Sequence, residues 1–261
     1  MHTIRNYIMA ESLEQAWELN QKGRNNVIIG GNLWLKMGRR NIINAIDLSS
    51  LGLDKIEEDE GGFRIGCMAT LHDIETHEGL NKEFQNLFKE AVRHIVGVQF
   101  RNCATVGGSI FPKLGFSDVL TAFLACDTQV ILYKKGEVSL REFIYMPLDN
   151  DILTHIYVKK DGRKTAYESF RMTETDFPTL TCAMAMVDGR FETVLGARPK
   201  HAEVVIDEEL ADSLSKEDVA SYAKRVIDKL QYGSNIRGSK QYRKQLSKVL
   251  ISRCISRLTE E

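Results

Sequence analysis

Between Ser12 and Gly23, the apolar residues Leu13, Ala16 and Trp17 recur at helical spacing. Ser12 and Gln15 stand as a capping box, and Gly23 ends the run. This pattern predicts a helix. Val27, Ile28 and Ile29 form a short unbroken apolar strand running into Gly30-Gly31, and residues 42–48 read as a second strand. Beyond an acidic turn at 57–62, residues 63–69 read as a strand. Helical patterns begin at Thr70 and Asn81, the second placing Phe84, Leu87, Phe88 and Ala91 on one face. A second Gly-Gly pair lies within 105–110. Ser117-Asp118 then precedes an apolar helical run at 119–126, and 129–133 and 152–158 read as strands.

The polar, glycine-containing stretch 159–164 separates this pattern from one of strands followed by two long helices. The expected strands are 166–171, 179–187, 191–195 and 202–206. The expected helices are 215–231, with Ser215 and Asp218 placed as a capping box, and 239–258, whose apolar face is Tyr242, Leu246, Val249 and Leu250. The class is α+β. The expected division is 1–160, with subdomains of about 1–52 and 53–160, followed by 161–261.

With 35 basic and 36 acidic residues the chain has no net field to gather nucleic acid or an anionic membrane. The basic residues of the last helix, Lys240, Arg243, Lys244, Lys248, Arg253 and Arg257, lack an aromatic platform and read as a solvated or partner-facing surface. No stretch approaches the roughly 18 to 20 apolar residues of a membrane span, and a cytoplasmic protein is expected. The five cysteines, Cys67, Cys103, Cys126, Cys182 and Cys254, are scattered, without a C-x-x-C pair. They read as small buried apolar residues, so neither an iron–sulfur cluster nor a zinc is expected in this chain. His72 and His77 lie five apart, which misses a shared helix face for a metal, and no catalytic constellation is visible.

A strand ending in two glycines can turn sharply and present backbone N–H groups to an anionic oxygen. Gly30-Gly31-Asn32 and Gly107-Gly108-Ser109 both read this way. One such loop is usually only a turn, whereas two suit a dinucleotide pyrophosphate. Neither a G-x-G-x-x-G fingerprint nor a P-loop is present, which disfavours both of those folds.

The segment Val98-Gln99-Phe100-Arg101-Asn102-Cys103-Ala104-Thr105-Val106-Gly107-Gly108-Ser109-Ile110 resembles the Q-x-R-N-x-A-T-[IV]-G-G-N-I signature of the FAD-binding medium subunits of molybdenum hydroxylases, the xanthine dehydrogenase and carbon monoxide dehydrogenase type. Ile29-Gly30-Gly31-Asn32-Leu33 is similar to that family's A-G-G-T-D loop. The stretch from Tyr167 to Phe177 resembles its Y-x-K-x-x-x-R-x-x-D-[FI] motif, and Arg237-Gly238-Ser239-Lys240-Gln241-Tyr242-Arg243 its R-G-S-x-x-Y-R motif. The resemblance implies a two-subdomain FAD-binding domain of the vanillyl-alcohol oxidase (PCMH-type) superfamily, followed by a C-terminal strands-plus-helices domain of the CO dehydrogenase flavoprotein type. It also implies that Val27, Ile28, Ile29, Gly30, Gly31, Asn32, Leu33 and Trp34, with Thr105, Val106, Gly107, Gly108 and Ser109, cradle the pyrophosphate and adenosine side. Asp118 would accept a hydrogen bond from a cofactor hydroxyl, or serve as a helix N-cap, or both. Leu153 would lie against the isoalloxazine and Ile95 near the adenine, unless they are plain core.

Two departures stand out. Ser169 occupies the position where the family commonly has a lysine near the flavin, which bears on redox tuning, and Arg171 is a candidate to compensate. Asn32-Leu33 and Ser109 replace Thr-Asp and asparagine in the two loops. The function implied is electron transfer in a hetero-oligomer. Electrons leave a molybdopterin-binding large subunit, pass through the 2Fe–2S clusters of a small subunit to FAD, and go on to NAD or another acceptor. Two alternatives are a stand-alone flavin oxidoreductase of the same superfamily and a scaffold subunit that has lost FAD.

Overall fold

The structure, a computed structural model, describes residues 3–207 and 215–259. In chain order, β1 (Thr3–Met9), α1 (Leu13–Gln21), β2 (Asn26–Ile29), β3 (Asn41–Asp47), β4 (Ile56–Glu58) and β5 (Gly62–Gly66) come first. Six short helices follow: α2 (Leu71–Thr76), α3 (Glu78–Glu83), α4 (Leu87–Val92), α5 (Val98–Arg101), α6 (Val106–Ile110) and α7 (Asp118–Leu124). Then come β6 (Thr128–Leu132), β7 (Gly136–Ser139), α8 (Leu140–Phe143), β8 (Leu153–Lys159), β9 (Lys164–Phe170), β10 (Leu180–Val187), β11 (Arg190–Gly196), β12 (Glu203–Ile206), α9 (Lys216–Asp228) and α10 (Lys240–Thr259). No helix of the described residues is long and apolar enough to cross a membrane.

Two compact units emerge, and they interleave along the chain. The first comprises Met1–Ile74, Val98–Pro112 and Thr128–Val158; the second comprises Glu75–Gly97, Lys113–Asp127 and Lys159–Glu261. This partition by contact differs from a single cut at residue 160. The polar stretch 159–164, expected as a boundary, opens the last segment of the second unit, where Arg163 is buried, pairs with Asp161 and donates to the Ala125 carbonyl.

In the first unit, β1, β3 and β2 form a parallel sheet in that order. An asparagine ladder fixes its register. Asn6 Nδ2 donates to Asn44 Oδ1 at 2.9 Å and Asn44 Nδ2 to Asn26 Oδ1 at 2.9 Å. Asn26 Nδ2 donates to the Leu19 carbonyl, tying the sheet to α1. The sequence pattern missed β1 for a physical reason: it is an edge strand whose Ile4, Tyr7 and Met9 stay exposed, so no buried face imposes an apolar alternation. The helix start it predicted is correct, with Ser12 accepting from the Gln15 amide; Gln15 reaches back to the Glu11 amide, one residue beyond the cap. A second sheet of the same unit has the order β4-β5-β8-β6-β7.

In the second unit, β12-β11-β10-β9 form an antiparallel sheet. Leu180, Cys182 and Met184 of β10 share a core with Tyr222 and Val226 of α9 and with Leu250 and Cys254 of α10. Alternation turns Thr181 to the opposite face, where its hydroxyl lies 2.9 Å from that of Thr121 on α7. Phe88 of α4 packs on Phe123 of α7 with centroids 4.6 Å apart. The expected run of Phe84, Leu87, Phe88 and Ala91 is buried, although Gln85 and Asn86, at positive φ, break it before α4. Ser215 and Asp218 make the expected capping box of α9.

The buried stripe of α10 differs from expectation. Tyr242 and Val249 are exposed, while Arg243, Leu246, Ser247, Leu250, Ile251, Cys254, Ile255 and Leu258 are buried. Arg243 was expected on a solvated face, yet it is fully buried. Its guanidinium donates to the carbonyls of Thr179, Gly233 and Gly238 and to Asn235 Oδ1. One cation thereby gathers acceptors from a strand start and a turn, and those contacts compensate its desolvation. Arg243→Ala should lower unfolding stability by about 3–5 kcal/mol, read in urea titration, because acceptors and a cavity are left behind.

Candidate functional site

The two glycine segments of the first unit are packed on each other. A Cβ on Gly31 would fall 1.6 Å from the Cys103 carbonyl oxygen, and one on Gly30 would fall 2.4 Å from Thr105 Oγ1. Glycine is therefore required at both positions by close approach. After Gly31 the chain turns through Asn32 at φ 59°, a left-handed conformation asparagine tolerates. The Trp34 and Phe100 rings meet edge to face at 5.2 Å, holding the end of the first segment against α5.

The segments differ in what they present. In the first, the amides of Gly31, Asn32 and Leu33 meet no protein acceptor among the described residues. Asn32 Oδ1 is buried and has no hydrogen-bond partner there. An orphaned buried acceptor beside unengaged amides fits a ligand that has both hydroxyl or amino donors and anionic oxygens. The second segment is not the strand-to-glycine turn that the sequence suggested. It is the short helix α6, capped by Thr105, whose Oγ1 accepts from the Gly108 amide at 3.2 Å. Its remaining amides are engaged too: Val106 donates to the Ala69 carbonyl, Gly107 to Cys67 and Ser109 to Thr105. Gly107 is fixed by packing, because a Cβ there would lie 2.7 Å from Cys67. Gly108 is exposed, so this segment offers a ligand an open backbone surface rather than free amides. Leu153 belongs to the same unit and is buried in β8.

Ile95, Asp118 and Ser169 belong to the second unit. Ile95 is half-buried after α4. Ser117, not Asp118, caps α7, through its hydroxyl and the Leu120 amide at 3.0 Å. Asp118 is the first helical residue and is buried. It accepts from the Tyr167 hydroxyl at 2.6 Å and pairs with Arg171 at 2.7 Å. Arg171 also donates to Ser169 Oγ at 2.6 Å and to the Asp176 carbonyl at 3.1 Å. Asp118 and Ser169 are thus joined by one arginine, which neither motif suggested.

Burial raises the Asp118 carboxyl above its ordinary value, opposed by Arg171 and Tyr167, and burial pushes the Tyr167 hydroxyl well above its own. The ion pair carries through to the arginine: its guanidinium pKa is raised, desolvation notwithstanding, by Asp118.

The two C-terminal motifs meet as well. Arg237 donates to Asp176 at 3.0 Å and lies 4.8 Å over the Phe177 ring. The Tyr242 ring meets Phe170 edge to face. His77, weighed above as a metal ligand, caps α3 through Nδ1, which accepts from the Leu80 amide.

Set beside known proteins, residues 2–158 match a family described as the FAD binding domain in molybdopterin dehydrogenase. The chain belongs to this family. The match contains both glycine segments, and it makes the protein an oxidoreductase component with an FAD-binding domain. It is similar to the glyceraldehyde dehydrogenase medium chain of Sulfolobus acidocaldarius, 26% identical over 267 residues, covering 94% of each chain. It is 27% identical over 188 residues to the Escherichia coli protein YgfM, covering 71% of each. Among solved structures, reconstituted CO dehydrogenase from Oligotropha carboxidovorans superposes with a TM-score of 0.87 at 20% identity, covering 99% of this chain and 98% of that one. That likeness supports the expected mixed fold of strands and helices.

Two outcomes test the charge cluster. Arg171→Met should cost about 3–5 kcal/mol of stability in urea titration, because it strands the buried Asp118 carboxylate. The Asp176 carboxyl is held below its ordinary 3.8 by the Arg237 hydrogen bond. Its stabilising contribution is therefore complete above that value and is lost as pH falls through the lower folded value. Asp176→Asn should flatten the acid limb of the unfolding midpoint below about pH 4, and a limb identical to the parent protein's would contradict the assignment.

Proposed function

We propose that this chain is the electron-relay subunit of a molybdenum hydroxylase complex, holding FAD through the first glycine segment and the exposed backbone of α6. In the assembly proposed, a molybdopterin-binding large subunit oxidises the substrate, and a small subunit's 2Fe–2S clusters deliver electrons to this chain for passage to NAD or another acceptor. Bound FAD supplies the conversion of single-electron arrivals into a two-electron departure. The protein's own residues bind and orient. Asn32 Oδ1 takes a donor from the cofactor, the amides of Gly31, Asn32 and Leu33 face its anionic oxygens, and Leu153 supplies apolar surface. Asp118, Ser169 and Ile95 are proposed contacts on the resemblance alone, and Arg171 provides the positive charge beside Ser169. No side chain is assigned acid–base chemistry.

The observation that carries this reading is the orphaned Asn32 oxygen beside unengaged amides, inside the stretch matching the FAD-binding family. One observation favours a second reading, a subunit that keeps the fold without flavin: every amide from Val106 to Ser109 is already bonded within the protein. A single preparation separates the two. On the first reading the purified protein is yellow and releases FAD on denaturation. Asn32→Ala should then weaken FAD about tenfold, the equivalent of one hydrogen bond, and Gly31→Ala should abolish binding, with circular dichroism reporting whether the fold survives. A colourless chain that takes up no FAD in titration would establish the second reading.

A further inference from the structure

Cys182 and Cys254 stand 72 residues apart in sequence, on β10 and α10 of the second unit, yet their Sγ atoms lie 3.8 Å apart. Both residues are fully buried in the core that joins the two long helices to the sheet. The distance is ordinary van der Waals contact between sulfurs. Closing to a bond length of about 2.05 Å requires the sulfurs to approach further, through side-chain rotation and movement of α10. None of the five cysteines is in a disulfide; Cys103, of the first unit, is exposed and the other four are buried.

We propose that Cys182 and Cys254 form a latent disulfide site, closed by peroxide, that latches α10 onto the sheet. The chemistry needs one equivalent of hydrogen peroxide. One thiol attacks a peroxide oxygen, giving a sulfenic acid and one water. The second thiol attacks that sulfur, forming the S–S bond and releasing a second water. Two S–H bonds and the O–O bond break, two electrons pass from sulfur to oxygen, and no further reductant or oxidant is required.

Burial, and after it the neighbouring Cys254 thiol, pushes the Cys182 thiol well above its ordinary range. Both thiols are fully buried, so peroxide does not reach them while α10 is seated, and reaction proceeds through local opening of the helix. Once closed, the bond opposes that same opening, because it removes chain entropy from the opened and unfolded states. The latch does not depend on the flavin assignment.

The test uses the full chain as a Cys103→Ser variant, which removes the exposed thiol, treated with hydrogen peroxide under native conditions. Peptide mapping without reductant should show a Cys182–Cys254 linked peptide with a mass loss of two hydrogens. Formation should accelerate in low urea, and the unfolding midpoint should rise by about 5 °C or more. In the parent protein, Cys103 should oxidise first. Adding Cys254→Ser to the variant should remove both the linked peptide and the rise; if that variant fails to fold, the peptide map of the Cys103→Ser protein is itself decisive. Quantitative alkylation of both thiols after Cys103 has been consumed in the parent protein would overturn the proposal. So would a linked peptide with no rise in the midpoint.

Discussion

A carbonyl oxygen stands where the side chain of residue 31 would be. The backbone of Cys103 lies so close to Gly31 that no other amino acid fits, and Thr105 crowds Gly30 in the same way. Much of the first unit's site follows from this contact. It puts the strand-ending β2 segment against the start of α6, and the chain leaves it through the left-handed turn at Asn32, whose side-chain oxygen is buried without a hydrogen-bond partner among the described residues. The same Thr105 that crowds Gly30 caps α6. That hydroxyl crowds one segment and takes the Gly108 amide of the other, while backbone carbonyls of Ala69, Cys67 and Thr105 take the amides beside it, which is why two similar glycine pairs offer a ligand different surfaces.

The second unit is organised by buried charge. Arg171, Arg198 and Arg243 are all held inside, and each is accommodated by acceptors from several segments rather than by one carboxylate alone. Arg198 donates to the Leu195 carbonyl and pairs with Glu203. Such groups are costly to bury and costlier to strand, so they demand particular partners in a way apolar packing does not. The motif residues from Tyr167 to Phe177 and from Arg237 to Arg243 therefore act largely on one another. Arg237 reaches Asp176 and Phe177, Tyr242 reaches Phe170, and Arg243 closes the turn between them.

Local signals in the chain determined a good deal. The capping serines Ser12 and Ser215, the strand into Gly30-Gly31 and the succession of strands before two long helices all follow from short-range pattern, and the structure keeps them. The long segment ending in Gly107-Gly108-Ser109 was enough to indicate the family, because so many residue types recur there in order. What the pattern could not reach were choices made at long range. Edge strand β1 lacks a buried face to imprint a period. Arg243 reads as a surface charge until the acceptors from Thr179 to Gly238 surround it. Asp118 reads as a cofactor contact, a helix cap or both, and nothing near it in sequence announces that Tyr167 and Arg171 take its two oxygens. Cys182 and Cys254 read as isolated thiols until the sheet and helix bring them together. Hydrophobic periodicity and capping are written within a few residues of each other, so sequence alone determines them. The partner of a buried polar group is a neighbour only in space, so tertiary structure alone decided it.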